Sequence, residues 1–207
     1  MKNIYFVRHG ETEYNKLHLS ADEHDQLSEN GSRQARLVAQ RAKLIDLETI
    51  YASTMKRAVQ TAGMIQEETG KEIIYSDILV EHRRPSEMLG HRSNGQMAAK
   101  INEECNLHQD DINWHYSDEE NFLEYKVRAI KALEYLEGLP QKNILVVSHG
   151  NFIKMLVLTM ALEDMVKPAI LYAFANKLKI TNTGITYCKK TEAGWSIEAV
   201  NDHQHLG

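Results

Sequence analysis

The stretch "NIYFVRHG" (Asn3–Gly10) joins a short apolar run to an abrupt polar ending. A continuous apolar run bounded by polar residues predicts a strand buried on both faces of a sheet. A second stretch, "NILVVSHG" (Asn143–Gly150), repeats the pattern and also ends in histidine and glycine. Ligands of open α/β sheets bind beyond the carboxyl ends of the strands. If the two strands are neighbours, we expect His9 and His149 to meet at one site.

Helical periodicity fills much of the interval between these two strands. Apolar residues recur at helical spacing over Ala35–Ile45 and over Met55–Ile65. A short strand is predicted between them at Thr49–Ser53, and another follows at Glu72–Ser76. Strands that alternate with helices predict an α/β fold with a largely parallel sheet.

The remaining segments predict further helices, an irregular region and a final pair of strands. Ser117–Glu120 resembles a capping box that opens a long helix, which should end near Gly138–Pro140. Phe152–Leu162 predicts another helix, and late strands are expected around Asn182–Gly184. Residues 81–116 lack a strong period in their first half, so we expect a loop-rich insertion that lies over the sheet.

Composition indicates one globular domain over residues 1–207. The chain is 43% hydrophobic and 26% charged with a formal net charge of −5, values that are typical of soluble proteins and predict no nucleic-acid partner. Cys105 and Cys188 lie far apart, which argues against a disulfide framework or a zinc site. No apolar stretch approaches the ~20 residues of a membrane span. We expect a cytoplasmic protein that binds neither membrane nor metal, with His203 and His205 in a frayed tail.

Four motifs carry a resemblance to a known family. In chain order they are "RHGETEYN" (8–15), "STMKRAVQTA" (53–62), "LVEHRRP" (79–85) and "VVSHGNF" (146–152). This ordered set resembles the motifs of the histidine phosphatase superfamily, the phosphoglycerate mutase-like group. The segments "DQLSENGSRQA" (25–35) and "NTGIT" (182–186) are also similar to segments of that family. The resemblance implies a three-layer α/β/α sandwich with a mostly parallel sheet and a small loop and helical insertion over the active site.

The resemblance also implies transfer of a phosphoryl group to His9, followed by hydrolysis of the phosphohistidine. An attacking imidazole needs one nitrogen free of a proton, and the nearby charges of Arg8 and Arg57 should lower the pKa of His9. By the same resemblance, Arg8, Arg57 and His149 form the phosphate pocket, with Asn15 as an uncharged donor. Preorganised donors of this kind supply most of the catalysis in phosphoryl transfer.

Proton transfer and backbone clearance complete the predicted site. Gly10 and Gly150 are expected to let the backbone approach the phosphate closely. The leaving oxygen needs a proton, and Glu81 matches the position of the family's acid. The following residues, "HRRPSEMLG", depart from the family's pattern, so Glu87 stays a reserve candidate. Either carboxylate could instead form an ordinary salt bridge.

The basic residues after Glu81 bear on the substrate. Arg83 and Arg84 are either a solvated basic loop or a collar that binds an anionic substrate over the pocket. The sequence thus predicts a phosphatase that hydrolyses small phosphomonoesters without a metal or other cofactor. The alternatives are a mutase that returns the phosphoryl group to a product, and a non-catalytic module that only binds phosphorylated ligands. The sequence leaves the natural substrate open, as well as the choice between monomer and homodimer.

Overall fold

A six-stranded sheet forms the centre of the computed structural model, which describes residues 1–207. The strand order is β3-β2-β4-β1-β5-β6. Strands β1 to β4 are mutually parallel, β5 pairs antiparallel with β1, and β6 pairs antiparallel with β5. The strands are β1 (Lys2–Arg8), β2 (Thr49–Ala52), β3 (Ile73–Tyr75), β4 (Asn143–Ser148), β5 (Ile185–Thr191) and β6 (Gly194–Asp202). The predicted mostly parallel sheet is confirmed.

Helices cover both faces of the sheet. They are α1 (Glu13–Leu17), α2 (Glu29–Ala42), α3 (Lys56–Thr69), α4 (Gln96–Leu107), α5 (Phe122–Gly138), α6 (Gly150–Leu162) and α7 (Pro168–Lys177). Successive side chains of a strand point to opposite faces, so Ile4 and Phe6 of β1 pack with α5 and α6, whereas Val7 packs with α2 and α3. The result is the expected three-layer α/β/α sandwich. No helix combines the length and apolar character that a bilayer crossing requires.

The predicted start of the long helix is wrong. The long helix α5 begins at Phe122 and is capped by Asn121 and Glu124, not by Ser117–Glu120. In the latter segment, the Glu119 carboxylate instead accepts hydrogen bonds from the backbone N–H groups of Tyr116 and Ser117. Ser117–Glu120 therefore forms a turn, and the capping box that starts the helix is the one that follows it.

The C-terminal region is more regular than the sequence suggested. Asn182–Gly184 forms a turn, with Thr183 at a φ of 58°, and the strands β5 and β6 follow it. The tail is not frayed: it ends in a 3-10 helix, and His205 Nε2 and Thr183 Oγ1 form a 3.1 Å hydrogen bond. The predicted late strands therefore exist, but they begin after the predicted segment.

The insertion at residues 81–116 has its own small core. It contains a 3-10 helix at Ser86–Met88 and the helix α4, and it buries Met88, Ala98 and Ile101 together. Isolated bridges join its Leu89 and Arg92 to the segment after α1. These contacts fix the insertion beside the loop that follows the first strand.

Candidate active site

The two strand-end histidines lie side by side. Strands β1 and β4 are adjacent and parallel, with Arg8 opposite Ser148, so the next residues on each are His9 and His149. Their ring centroids are 5.1 Å apart, and the residues are 2% and 0% exposed. The strand register therefore places both imidazoles at one buried position beyond the carboxyl edge of the sheet.

The hydrogen bonds of His9 assign its tautomer. Nδ1 lies 2.7 Å from the carbonyl oxygen of Gly10, so Nδ1 carries the proton and donates it. Arg57 Nε donates to Nε2 across 3.2 Å, so Nε2 holds a lone pair. Burial lowers the pKa of His9 well below its ordinary value, and the charges of Arg57 and Arg8 lower it further. The ring is thus neutral near pH 7, with Nε2 as its nucleophilic atom.

Arg57 is fixed in place by contacts outside the histidine pair. It lies in the first turn of α3 and is 4% exposed. Its Nη1 donates to the carbonyl oxygen of Asp22 at 2.7 Å, and its Nη2 lies 3.2 Å from Met55 Sδ. The guanidinium is therefore held beside Nε2 of His9 before any ligand arrives.

Arg8 and two asparagines form the opposite wall. Arg8 Nη1 donates to the carbonyl oxygen of Ile180 at 2.7 Å, and its buried Nε has no partner. The Oδ1 of Asn15 accepts from Arg8 Nη2 at 3.5 Å and from Asn182 Nδ2 at 3.1 Å. Asn182 Nδ2 also lies 3.0 Å from the backbone oxygen of His9. Because these contacts use its oxygen, the side-chain amide of Asn15 presents its NH₂ group as the donor.

His149 is oriented by the second strand of the site. Its Nε2 forms a 2.8 Å hydrogen bond with Ser53 Oγ at the end of β2, and its buried Nδ1 has no partner. Burial lowers the pKa of His149 well below its ordinary value, with Arg57 as the largest of the nearby charges. Nδ1 is consequently the atom of this ring that is available to a ligand.

The Glu81 side chain lies at the N-terminus of α6, the helix that begins directly after His149. Its Oε2 accepts from the backbone N–H of Asn151 at 3.1 Å, and its Oε1 accepts from the N–H groups of Phe152 and His82, both at 2.9 Å. The negative charge of Glu81 raises the pKa of Arg8 and of Arg57, against the effect of burial. The carboxylate thus faces the same pocket as both arginines, and it forms no salt bridge there.

Glu87 occupies a different position. It is an exposed residue of the insertion, and its Oε2 accepts from Ser117 Oγ at 3.4 Å. The structure therefore brings Glu81 to the histidines and leaves Glu87 on the surface.

The two glycines after the histidines are also required by packing within the protein. A Cβ on Gly10 would lie 2.5 Å from the carbonyl oxygen of Gly31, so the residue is dictated by packing against α2. A Cβ on Gly150 would lie 3.3 Å from Arg8 Nε. Gly150 thus leaves room for the arginine side chain.

The basic residues of the insertion differ in their surroundings. Arg83 and Arg84 are both exposed, and neither guanidinium forms a hydrogen bond with the protein. Burial lowers the pKa of Lys154, and the charges of Arg8 and Arg84 lower it further. Lys154 lies on α6 one turn after Gly150, and its Nζ donates to the carbonyl oxygen of Ala175 at 2.7 Å. Arg84 therefore adds positive charge near Lys154 of α6.

Several residues of the site were not identified as functional from the sequence. Ser53 and Asn182 contact pocket residues directly, whereas Lys154 contributes a charge on α6 near Glu81 and Arg8. Ser53 and Asn182 fall within the motif segments, and this is the one signal that could have pointed to them. Thr61 Oγ1 accepts from the backbone N–H of Gly10 at 3.1 Å and so fixes the turn after His9.

Histidines outside this pocket are not arranged for metal binding. Nδ1 of His203 lies 2.7 Å from the backbone oxygen of Asn201, whereas His205 contacts Thr183. No group of three or more His, Cys, Asp or Glu side chains is arranged to hold a metal ion.

The sequence also matches proteins of known family. The match to the histidine phosphatase superfamily (branch 1) covers residues 4–203. The probable phosphoglycerate mutase GpmB of Enterobacter sp. (strain 638) is 30% identical over 221 residues, which span 100% of this chain and 95% of that protein. The protein of the same name from Shigella boydii serotype 18 is also 30% identical, over 217 residues with the same coverage.

Solved structures agree with this assignment. A phosphoserine phosphatase from Entamoeba histolytica in complex with 3-phosphoglyceric acid superposes with a TM-score of 0.82 at 26% identity, with full coverage of both chains. A mutant of that enzyme in complex with phosphoserine gives 0.79 at 27% identity, again over both full chains. The Bacillus stearothermophilus protein YhfR, at 20% identity and a TM-score of 0.82 over both full chains, shares the fold. The chain belongs to the histidine phosphatase superfamily.

Proposed function

We propose that this protein hydrolyses phosphomonoesters through a phosphohistidine on His9. The observation that carries the proposal is the state of this ring: buried, neutral, protonated on Nδ1, and with Nε2 beside Arg57 at 3.2 Å. A nucleophile in this state needs no base to remove a proton before it attacks phosphorus. Arg57 must exchange its bond with Nε2 for a bond with a phosphoryl oxygen as the substrate enters.

In the first step, a bond forms between Nε2 of His9 and phosphorus, and the bond between phosphorus and the ester oxygen breaks. Negative charge is spread over the three equatorial oxygens of the transferring group. Arg8, Arg57, His149 and the NH₂ group of Asn15 are the donors we assign to these oxygens. They are positioned before reaction, so apart from the exchange of the Arg57 bond the charge is stabilised without reorganisation of the site.

We assign proton transfer to Glu81. The substrate enters as the phosphomonoester monoanion, and its proton passes through the Glu81 carboxylate to the leaving oxygen as the ester bond breaks, so the alcohol departs. A water molecule then attacks the phosphohistidine and passes a proton to the Glu81 carboxylate while the nitrogen–phosphorus bond breaks. Inorganic phosphate takes up this proton and leaves, so His9 and the Glu81 carboxylate are restored to their starting states.

We propose that residues 81–116 form the substrate cap of a single catalytic domain. The cap is joined to the segment after α1, and Arg84 and Lys154 bring positive charge to its pocket side. We assign the chain a small phosphorylated substrate, the class that the Entamoeba histolytica structures hold. Arg83, which shows no electrostatic link to the pocket, is assigned a weaker part in the collar than Arg84.

A mutase is the second candidate, favoured by the names of the curated relatives. Hydrolysis and transfer share the phosphohistidine and differ in what receives the phosphoryl group. The test is to incubate the protein with a panel of phosphomonoesters, including 3-phosphoglycerate and phosphoserine, with and without a chelator. The products are then measured as free phosphate and as phosphate isomers.

The expected result is stoichiometric release of inorganic phosphate, at a rate that chelation leaves unchanged and that His9→Ala abolishes. Isomer formation without net phosphate release would instead establish the mutase. If no substrate of the panel were turned over although one of them bound, the non-catalytic module would be favoured.

A further inference from the structure

The guanidinium of Arg128, on α5, holds the backbone around Glu81 in place. Its Nη1 donates to the carbonyl oxygens of Ile78 at 3.1 Å and Val80 at 2.8 Å, and its Nη2 donates to the carbonyl oxygen of Glu81 at 3.3 Å. Glu120 takes the other two N–H groups, at 2.6 Å from Nε and 2.7 Å from Nη2. All five donors of the guanidinium are therefore used.

The ion pair between Arg128 and Glu120 is largely shielded from solvent, and its hydrogen-bonding groups are satisfied. The two side chains are 16% and 9% exposed, and the contact is bidentate, the arrangement that fixes a guanidinium most firmly. The backbone oxygen of Glu120 also bonds to His82 Nε2 at 3.0 Å. The His82 ring packs against the Tyr125 ring at a tilt of 30°, with centroids 4.3 Å apart. The residue after Glu81 is thus tied to the same ion pair.

The same guanidinium also reaches the other side of the Glu81 carboxylate. Its carbon lies 4.2 Å from the centroid of the Phe152 ring, and the backbone N–H of Phe152 donates to Glu81 Oε1. Ser148 Oγ donates to the carbonyl oxygen of Leu79 at 2.7 Å, so the segment is also fixed to the end of β4. The segment 78–81 is therefore clamped between α5 and the strand that carries His149.

We infer that Arg128 is a positioning residue for proton transfer: it holds the Glu81 carboxyl at the N-terminus of α6, where it faces the leaving oxygen. The inference rests on the proposed function, in which Glu81 is the proton donor. Arg128 touches no reacting atom. Its effect must therefore pass through Glu81, and this has a consequence that a merely structural residue would not show.

The consequence is a dependence on the leaving group. An alkoxide is a poor leaving group and needs a proton as the ester bond breaks, whereas p-nitrophenolate leaves without one. The value of kcat/KM reports the phosphorylation step, in which this proton is used. Loss of a positioned donor should therefore lower kcat/KM for glycerol 2-phosphate and spare p-nitrophenyl phosphate.

The experiment measures kcat/KM for both substrates in the wild-type protein and in Glu81→Gln, Arg128→Lys and the double variant. Glu81→Gln should lose about 100-fold on glycerol 2-phosphate and less than about threefold on the aryl ester. Arg128→Lys keeps the charge opposite Glu120 but cannot make the five contacts, so we expect about tenfold and the same selectivity. The double variant should be no worse than Glu81→Gln, because Arg128 acts through that carboxyl.

Two controls separate positioning from folding. Lys131→Ala, on the exposed face of the same helix, should leave both rates unchanged. If Arg128→Lys does not fold, the pair Arg128→Met with Glu120→Leu replaces the ion pair with apolar groups of similar size, a change that folded proteins tolerate. This pair should show the same selective loss.

Equal losses on the two substrates, or additive losses in the double variant, would overturn the inference. The proposed function fails in a different way, with neither substrate hydrolysed by the wild-type protein. If Glu81→Gln lost activity equally on both substrates, or lost none, the proton-donor role of Glu81 would be wrong, and with it the role of Arg128.

Discussion

The phosphate pocket and the insertion above it are built in opposite ways. His9, Arg57 and His149 are buried and are placed by strand register or by the first turn of a helix. His9 and Arg57 bond to each other and to backbone, and His149 bonds to Ser53. Arg83 and Arg84 are exposed, and their guanidinium groups form no hydrogen bond with the protein. The residues that we assign to phosphoryl transfer are therefore held in place before a substrate binds. The groups that we propose select the substrate are exposed, so they can differ without disturbing the buried pocket.

The largest effect should come from the buried side of this comparison. Arg57→Ala removes a fixed donor to the transferring phosphoryl group, and we expect kcat/KM for p-nitrophenyl phosphate to fall about 1,000-fold. The exposed Arg36→Ala on α2 serves as the control and should keep the wild-type rate. A loss below about tenfold in Arg57→Ala would show that the pocket does not depend on this guanidinium.

A smaller effect is expected from the residue that orients His149. Ser53→Ala removes the 2.8 Å hydrogen bond to Nε2, and we expect kcat to fall about tenfold for all substrates. Thr54→Ala is the matched control, because the Thr54 hydroxyl bonds to Asp77 outside the pocket. Steady-state kinetics of the two variants check the prediction, and equal rates in both would contradict it.

The insertion should affect substrate choice and not chemistry. Arg84→Ala is expected to raise KM about three- to tenfold for phosphoserine, which carries a second anionic group, and to leave KM for p-nitrophenyl phosphate unchanged. Arg83→Ala, one residue earlier and equally exposed, should have the weaker effect. Equal increases in KM on both substrates would reject the collar.

The smallest effect concerns stability against pH. The folded state lowers the pKa of His9 and of His149 below the value of about 6.5 that an exposed histidine has. As pH falls below that value, the unfolded chain binds protons that the folded chain excludes, so the free energy of unfolding decreases. Stability should therefore be complete above pH 7 and decline toward pH 5.

Urea unfolding at pH 5, 6 and 7 checks this decline. His9→Asn should reduce the slope below pH 6.5 by about 1 kcal/mol per pH unit, because one excluded proton is removed. Identical slopes in the wild-type and variant proteins would show that burial of His9 does not exclude its proton.

The sequence predicted what periodicity and strand ends determine. Two apolar runs ending in His9 and His149 led to adjacent parallel strands, and the register of β1 and β4 brings the rings to 5.1 Å. The contacts of Ser53 and Asn182 could not be predicted, because they join polar residues that are 96 and 173 positions apart from their partners. Neither leaves a local pattern in the sequence.

The clamp around Glu81 shows the same limit. Arg128 lies in a helix whose apolar stripe was recognised, yet its own contacts are with backbone oxygens about 50 residues earlier. Capping signals failed for a different reason. Two possible capping boxes follow one another before α5, and only that of Asn121 and Glu124 forms both of the reciprocal hydrogen bonds.

The most direct test of the account is to trap the phosphorylated intermediate. The protein is mixed with a ³²P-labelled phosphomonoester, quenched in base, and digested, and the labelled peptide is identified. We predict label that is stable to base, labile to acid, and confined to the peptide containing His9, with none in His9→Ala. Label that persists in His9→Ala, or that lies on another residue, would contradict the assignment of His9 as the nucleophile.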